Sequence, residues 1–304
     1  MPETRASSIR IKFWGVRGSI PVPGESTVRY GGNTTCCEVR ADGEIIVLDA
    51  GTGIRPLGLA LQKEFDTKPI NLTLLLTHAH WDHIHGLPFF VPAHETKNTI
   101  TLYGPDSAET GVREILEGQM AMPFFPVKLH DLPARIDIRK LPGGEFRIGN
   151  VGVRSIIANH PGSCVGYRLF SGAASIAFLP DHEPYDFLHS ARGKTMDPAQ
   201  TRQRAGQERQ SLIEFLDGCD LLVLDTQYTD EEYKRRIGWG HGSLASAIAL
   251  ARDAHVRKLV LFHHDPTHDD GKIDNILREA RELAAKSGGA LEVEAAREGA
   301  ELTL

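Results

Sequence analysis

The sequence predicts an α/β protein whose β-sheets are covered by helices on their outer faces. Three observations lead to this prediction. Strand-like segments alternate along the chain with longer segments in which apolar residues recur at helical spacing. Two regions, one in each half of the chain, are rich in predicted hairpins. Several apolar runs also stop at a histidine or an aspartate, as is typical of layered α/β folds that build sites at strand ends.

In the first half, an alternating segment at residues 9–14 predicts a strand, and the Gly and Pro residues at 15–24 predict a loop. Ala41-Asp42-Gly43 predicts the turn of a hairpin. The further predicted elements of this half are strands at 34–40, 44–48, 72–77 and 99–103 and helices at 54–65 and 107–117.

The second half repeats this alternation. Its predicted elements are strands at 151–158, 165–170, 174–179, 221–224, 258–262 and 290–294 and helices at 207–216, 243–254 and 270–286. Residues 119–126 are apolar but interrupted by Pro, which leaves a lid or wall over a pocket, an oligomer contact and an irregular buried loop as interpretations. Residues 189–209 are polar, and their first half is predicted to be a surface loop.

Composition indicates a globular protein with a large core, since 41% of the 304 residues are hydrophobic and 24% are charged. We predict one domain over residues 1–304. The net charge is −6 and no Lys/Arg run stands out, so a long nucleic-acid footprint is not indicated. The N-terminus lacks the apolar stretch of a signal peptide, and no segment has the length of a membrane span. We therefore expect a cytoplasmic protein.

The four cysteines fit this expectation. No CxxC pattern occurs, and two of the cysteines are adjacent on a predicted strand, so that their side chains point to opposite faces. The prediction is a set of core or edge thiols in a reducing compartment. The cysteines are Cys36, Cys37, Cys164 and Cys219.

A dense cluster of metal-binding residue types follows the predicted strand at 72–77. The segment is His78-Ala79-His80-Trp81-Asp82-His83, with three imidazoles and one carboxylate in six residues. These side chains would be poorly packed and mutually repulsive at the end of a buried strand unless a cation coordinated them. The segment therefore predicts a metal centre; the alternative is a His-rich surface loop.

Three later apolar runs also stop at a residue that could bind metal. The runs at 153–159, 175–180 and 258–262 stop at His160, Asp181 and His263. Because strands aim the residues that follow them toward a common rim, these side chains are expected to join the first cluster.

This order of residues resembles the metallo-β-lactamase-fold hydrolases. The likeness covers residues 9 to 295, and the sequence His-x-His-x-Asp-His is its most specific part. Within that superfamily the chain is most similar to the phosphodiesterase branch, which includes ribonuclease Z and cyclic phosphodiesterases. The residues that carry this second likeness are Gly86-Leu87-Pro88, Asp181, His241-Gly242-Ser243, Leu261-Phe262-His263 and Asp49-Ala50-Gly51-Thr52-Gly53.

The resemblance implies a four-layer αββα sandwich with two divalent metal ions. Zn is usual in the family, and imidazole and carboxylate ligands suit Mn or Fe as well. It implies that Asp181 bridges the two metals and that Asp49 fixes the cluster loop without binding metal. The implied ligands are His78, His80 and His160 for the first metal and Asp82, His83 and His263 for the second. A slip by one residue, in which His264 binds in place of His263, remains open at this point.

For the reaction, we hypothesise that a hydroxide shared by the two metals attacks phosphorus. We assign catalytic roles to Asp82 and to His241, the latter as proton donor to the leaving oxygen. The Gly at position 242 departs from the His-Ser-Thr pattern of the family. The roles of Arg17, His85 and His182 stay open. Arg17 could contact a phosphate, although stabilisation of its loop is favoured. His85 could support the ligands, although a solvated residue at a helix start is favoured, and His182 could reach the substrate.

The leading hypothesis is a phosphodiesterase that acts on small cyclic or linear phosphodiesters, with cyclic nucleotides as the first guess. The alternatives are tRNA 3′-end processing, hydrolysis of carboxyl esters, thioesters or lactones, and, outside enzymes, a metal-binding sensor. The expected partner is a small phosphodiester, with neither a membrane nor a nucleic acid, and a homodimer is an expectation from the resemblance.

Overall fold

The computed structural model describes residues 8–106, 110–189, 197–286, 288 and 290–304. These residues form two seven-stranded mixed sheets. A cluster of buried apolar side chains, among them Phe13 and Val39 of one sheet and Tyr167 and Phe262 of the other, joins the two sheets face to face. The predicted sandwich of two sheets is confirmed.

The first sheet has the strand order β14-β1-β2-β3-β4-β5-β6. Its strands β14, β1, β2 and β3 pair in antiparallel fashion, whereas β3, β4, β5 and β6 are parallel. The strands are β1 (Ile9–Gly15), β2 (Cys36–Ala41), β3 (Glu44–Leu48), β4 (Asn71–Leu75), β5 (Thr99–Gly104), β6 (Arg135–Lys140) and β14 (Glu301–Thr303).

The second sheet repeats this plan in the order β13-β12-β11-β10-β9-β8-β7. Here β7 to β10 are antiparallel and β10 to β13 are parallel. The strands are β7 (Glu145–Ile148), β8 (Val151–Ile157), β9 (Val165–Ser171), β10 (Ala174–Leu179), β11 (Leu221–Asp225), β12 (Lys258–Phe262) and β13 (Glu292–Ala295). In each sheet the pairing thus changes from antiparallel to parallel at one strand, which is β3 in the first sheet and β10 in the second.

Helices cover the outer faces of both sheets and complete four layers. The helices are α1 (Ile54–Phe65), α2 (Trp81–Ile84), α3 (Val112–Gln119), α4 (Pro198–Leu216), α5 (Asp230–Tyr233), α6 (Leu244–Asp253) and α7 (Asp270–Lys286). One outer apolar cluster packs α1 and α3 on the first sheet. Another packs α4, α6 and α7 on the second sheet. None of the described helices is both long enough and apolar enough to cross a membrane.

Several element predictions need correction. Strands β6, β7 and β14 were not predicted; β6 carries charges on its exposed residues, and β7 and β14 are only four and three residues long. Helix α4 begins at Pro198 rather than at 207. The prediction missed its first half because that half is polar, and its buried residues all lie in the second half, so the sequence shows no helical pattern there. Helix α3 begins at Val112, and residues 107–109 of the predicted helix lie outside the described residues.

The Pro-interrupted segment at 119–126 is mixed in character. Met120 is buried in the outer cluster of the first sheet, and Phe125 packs against it. Met122 and Phe124 are 68% and 79% exposed. The segment therefore has some side chains packed in the core and others exposed to solvent.

The four cysteines are all buried and free, as predicted.

Candidate metal centre

The ends of four strands bring the seven predicted metal ligands together. The loop after β4 carries the first cluster and leads into α2, while β8, β10 and β12 each end close to one further ligand. Within each of two sets of these residues, the ligand atoms lie within 4.8 Å of one another. One set comprises His78, His80, His160 and Asp181, and the other comprises Asp82, His83 and His263.

The first ligand group, His78, His80 and His160, lies on one side of the Asp181 carboxylate. His78 Nε2 and His160 Nε2 are 3.6 and 3.4 Å from Asp181 Oδ2. His80 Nδ1 is 3.0 Å from His160 Nε2. His78 and His160 are buried, whereas His80 is exposed, so this group borders the solvent.

The second ligand group, Asp82, His83 and His263, lies on the other side of Asp181 and is buried. His83 Nε2 and His263 Nε2 are 3.3 and 3.1 Å from Asp82 Oδ2. The same two nitrogens are 3.1 and 3.2 Å from Asp181 Oδ1. Asp181 thus faces the first ligand group with Oδ2 and the second with Oδ1.

Several of these atoms are buried without a hydrogen-bond partner among the described residues. They are His78 Nε2, His83 Nε2 and Asp181 Oδ1. A buried polar atom without a partner is costly, and these three point toward a shared space. Divalent cations would satisfy all of them, and imidazole with carboxylate is a donor set that such cations prefer. The residues present therefore fit two metal ions.

Asp49 stands behind the cluster loop. Its Oδ1 accepts from the Thr77 backbone N–H at 2.7 Å, and its Oδ2 lies 2.8 Å from both Thr77 Oγ1 and His83 Nδ1. The Thr77 hydroxyl in turn lies 3.1 Å from His78 Nδ1, from which it can accept. Burial raises the pKa of Asp49 above its usual value, although His83 and Thr77 oppose the shift. Asp49 thus orients both imidazoles without facing the ligand space.

The structure distinguishes His263 from His264. His263 has φ 60°, and this left-handed turn at the end of β12 aims its ring at the second ligand group. A Cβ at Gly18 would lie 2.4 Å from that ring, so the close approach requires glycine. His264 Nε2 instead donates to the Ala296 carbonyl at 2.9 Å. The geometry thus places His263, and not His264, among the candidate ligands.

His241 lies beside the ligands and is held by Asp225. His241 Nδ1 is 2.9 Å from Asp225 Oδ2, and its ring stacks on that of His263. Burial lowers the pKa of His241, but the charge and hydrogen bond of Asp225 outweigh it and raise the pKa to about 9. His241 can also be grouped with Asp181 and His263 as a ligand set. Because its Nδ1 is bonded to Asp225, Nε2 is the nitrogen of His241 that stays free.

Sequence reasoning missed Glu183, two residues after Asp181. Its carboxylate accepts from the backbone N–H groups of Gly238 and Gly240 at 2.6 and 2.8 Å and lies near Tyr233 and His189. The Gly240 carbonyl is 2.7 Å from His160 Nδ1, from which it accepts. Glu183 therefore holds the loop that orients His160 and precedes His241; the only local signal was a second carboxylate after the strand end.

The remaining polar residues have structural partners. The Arg17 guanidinium donates to the carbonyls of Gly31, Asp265 and His268, so it stabilises loops and does not reach the ligand space. His85 is exposed just after α2. His182 is buried, and its Nδ1 accepts from the Asn159 N–H.

Two further histidines outside the ligand groups are buried or partly buried. His268 is 4% exposed and lies 3.1 Å from Glu232 Oε1. His189 is only partly exposed because it packs against the carboxylate of Glu183. Hydrophobic patterning could not reveal either contact, since both partners are distant or polar.

Two exposed tryptophans are sequence neighbours of residues in or behind the first ligand group. Trp81 directly follows His80, and Trp239 directly precedes Gly240. They are 62% and 63% exposed. The segment Lys234-Arg235-Arg236 lies just before Trp239, and Arg235 makes no ion pair within the described part of the chain.

Comparison with known proteins agrees with this geometry. The model of the β-lactamase superfamily domain matches residues 45–264. A ribonuclease Z of Haloferax volcanii is 24% identical over 322 aligned residues, which cover 94% of this chain and 95% of the relative. The metallo-β-lactamase-fold protein YhfI of Bacillus subtilis superposes with a TM-score of 0.68 at 17% identity over 98% of this chain and all of that one. The short form of human tRNase Z gives 0.59 at 17% identity, over 96% and 98% of the two chains. The predicted metallo-β-lactamase fold is confirmed.

Proposed function

This chain is a hydrolase of the β-lactamase superfamily, and on that premise we propose that it cleaves phosphodiester bonds with two bound divalent cations. The observation that carries the proposal is the position of Asp181. One of its oxygens faces each ligand group, so a single buried carboxylate can serve both metals. Zn is the metal we propose, since the ligands are mainly imidazoles.

The first ligand group with Asp181 would hold one cation, and the second ligand group with Asp181 would hold the other. Bound there, the cations would offset charge on the phosphoryl oxygens and supply water of lowered pKa. The protein's own part is to hold the ligands in fixed orientations, through Asp49 for His83 and through Gly240 for His160.

His241 supplies the proton for the leaving oxygen in this proposal. Its Nδ1–H is bonded to Asp225, so Nε2 is the atom that can donate. Asp225 also favours the protonated imidazole, because it raises the pKa of His241. The arrangement is that of a general acid held by a buried carboxylate.

For the substrate, we favour an RNA phosphodiester over a cyclic nucleotide. The relatives named ribonuclease Z support this choice, and they give no support to the expectation that nucleic acid is excluded. The indoles of Trp81 and Trp239 and the neighbouring Arg235 suit stacked bases and phosphates. Small cyclic or linear phosphodiesters remain an untested prediction.

The reaction is tested by measuring metal content and hydrolysis of bis(p-nitrophenyl) phosphate in the same preparations. We expect hydrolysis that chelation abolishes and added Zn restores. His241→Ala should lower kcat by about 10² to 10⁴ without lowering metal content. Loss of metal in His241→Ala would make His241 a ligand, and hydrolysis of thioesters or lactones but not phosphodiesters would refute the proposal.

The substrate is tested by comparing a precursor tRNA with a 3′ extension against 3′,5′-cyclic AMP. We expect cleavage of the RNA, with KM raised about tenfold in Trp81→Ala and Trp239→Ala because each stacked base contributes about 1–3 kcal/mol. Leu59→Ala, on the exposed side of α1, is the matched control. Turnover of cyclic AMP alone would return the assignment to small phosphodiesters.

A further inference from the structure

A second cavity lies behind the candidate metal centre, between α4, α6 and the loop that follows Asp181. Its volume is about 610 Å³, which is within the usual range for a small-molecule site. None of the seven candidate ligands lines it, and neither does His241. Asp225 and Gly242 form the wall that it shares with the metal centre.

One wall of the cavity is apolar. It consists of Leu188, Leu212, Leu224 and Leu250, all of which are buried in the part of the chain that the structure describes. Such a surface favours an apolar body of a bound molecule, because water is displaced from both when they meet.

Hydrogen-bond donors without partners converge on the same cavity. His182 is 5% exposed, and because its Nδ1 accepts from the Asn159 N–H, its Nε2 is the protonated nitrogen. Neither His182 Nε2 nor the Tyr185 hydroxyl has a hydrogen-bond partner among the described residues, and the exposed Arg202 has no ion pair there. These three side chains offer donors that the fold itself does not use.

The buried carboxylate of the lining does not cancel these donors. Asp225 already accepts from the backbone N–H groups of His182 and Gln227 and from His241. Asp186 is exposed and, like Arg202, has no ion pair among the described residues, and Arg209 is paired with Asp253 at 2.5 Å. Apart from these exposed charges, the unpartnered polar groups of the lining are the donors of His182 and Tyr185, which suit an acceptor or an anion.

We propose that this cavity is a binding site for a small amphipathic molecule with an oxyanion head. The apolar body lies against the four leucines, and the head lies at His182, Tyr185 and Arg202. Carboxylate, phosphate and sulfonate heads share the required chemistry. The site is separate from the proposed phosphodiesterase centre, and its existence does not depend on that function.

The probe is 1-anilinonaphthalene-8-sulfonate, titrated by fluorescence into the metal-replete full chain. We expect saturable binding of one probe per chain. Ala249→Trp places an indole into the cavity from α6 and should abolish this binding. Ala245→Trp, an exposed position on the same helix that does not line the cavity, should leave it intact. Ala205→Trp, from the α4 wall, repeats the test if Ala249→Trp does not fold.

The head is tested with Arg202→Gln and an uncharged probe, N-phenyl-1-naphthylamine. Arg202→Gln should weaken binding of the sulfonate probe by about tenfold and leave binding of the uncharged probe unchanged. Equal binding by wild type, Ala249→Trp and Ala205→Trp, or loss in Ala245→Trp, would overturn the site. An equal effect of Arg202→Gln on both probes would overturn the oxyanion head.

Discussion

The two ligand groups differ in the side chains and backbone groups that hydrogen-bond to their ligands. In the second ligand group, His83 is backed by the Asp49 carboxylate, His263 by the Gln227 side chain at 2.9 Å, and Asp82 by the Ser19 N–H at 2.7 Å.

The ligands of the first ligand group have weaker hydrogen-bond partners, and the group is more exposed to solvent. His160 is backed by a neutral carbonyl, His78 reaches Asp49 only through the Thr77 hydroxyl, and His80 is exposed. A carboxylate behind a histidine makes it a better and more firmly oriented ligand. The difference implies that the second ligand group binds metal more tightly, while the first is open to exchange and to substrate.

The largest expected effect is a stepwise loss of metal. As the chelator concentration rises, the metal of the first ligand group should be lost before the metal of the second. Hydrolysis should end with that first step, because the reaction needs both metal ions. Elemental analysis and activity at each chelator concentration measure this. His80→Ala should remove only the early step, and Asp82→Asn only the late one. Loss of both metals in a single step would refute the comparison.

Removal of the charge behind His83 should weaken the tighter site. Asp49→Asn is expected to lower the affinity of the second ligand group by about 10- to 100-fold, because the carboxylate no longer supports the imidazole. Competition with a chromophoric chelator measures the affinity. Asp66→Asn, an exposed aspartate at the end of α1, is the control. If the affinity of the first ligand group falls more, the assignment of Asp49 is wrong.

Glu183 provides a test of the more weakly supported side. Glu183→Gln retains the shape but removes the charge that holds the Gly238 and Gly240 N–H groups. We expect kcat to fall by about tenfold with little change in KM, since each lost charged hydrogen bond costs about 1.5–3 kcal/mol and the loop can partly adapt. Glu183→Gln should also lose the metal of the first ligand group at a lower chelator concentration than wild type does. Glu231→Gln, exposed on α5, is the matched control.

The smallest expected effect concerns His264, the buried neighbour of His263. Burial lowers the pKa of His264 to about 3, whereas the unfolded residue titrates near about 6.5. As the pH falls, the unfolded state therefore binds the proton before the folded state does. The contribution of neutral His264 to the free energy of unfolding is complete above about pH 6.5 and is lost as the pH falls toward about 3.

His264→Gln, which can still donate to Ala296, should lose about 1 kcal/mol less stability than wild type between pH 8 and pH 5.5. Urea unfolding at both pH values measures it. Equal losses in the two proteins would show that His264 does not carry this pH dependence.

The candidate ligands could be predicted because four of them directly follow an apolar run and the other three share one dense cluster with His78. The partners behind them could not. Glu183 meets Gly238 across 55 positions, and Asp82 meets Ser19 across 63, so only the folded chain brings them together. Strand β6 and the first half of α4 escaped prediction because their exposed, charged residues mask the period of the element.

Strand β14 has a consequence for association between chains. Residues Glu301–Thr303 pair with β1 and form one edge of the sheet that carries the cluster loop. Because β14 is only three residues long, this edge offers few free backbone N–H and C=O groups on which another chain could add a strand. So short an edge strand therefore disfavours edge-to-edge aggregation.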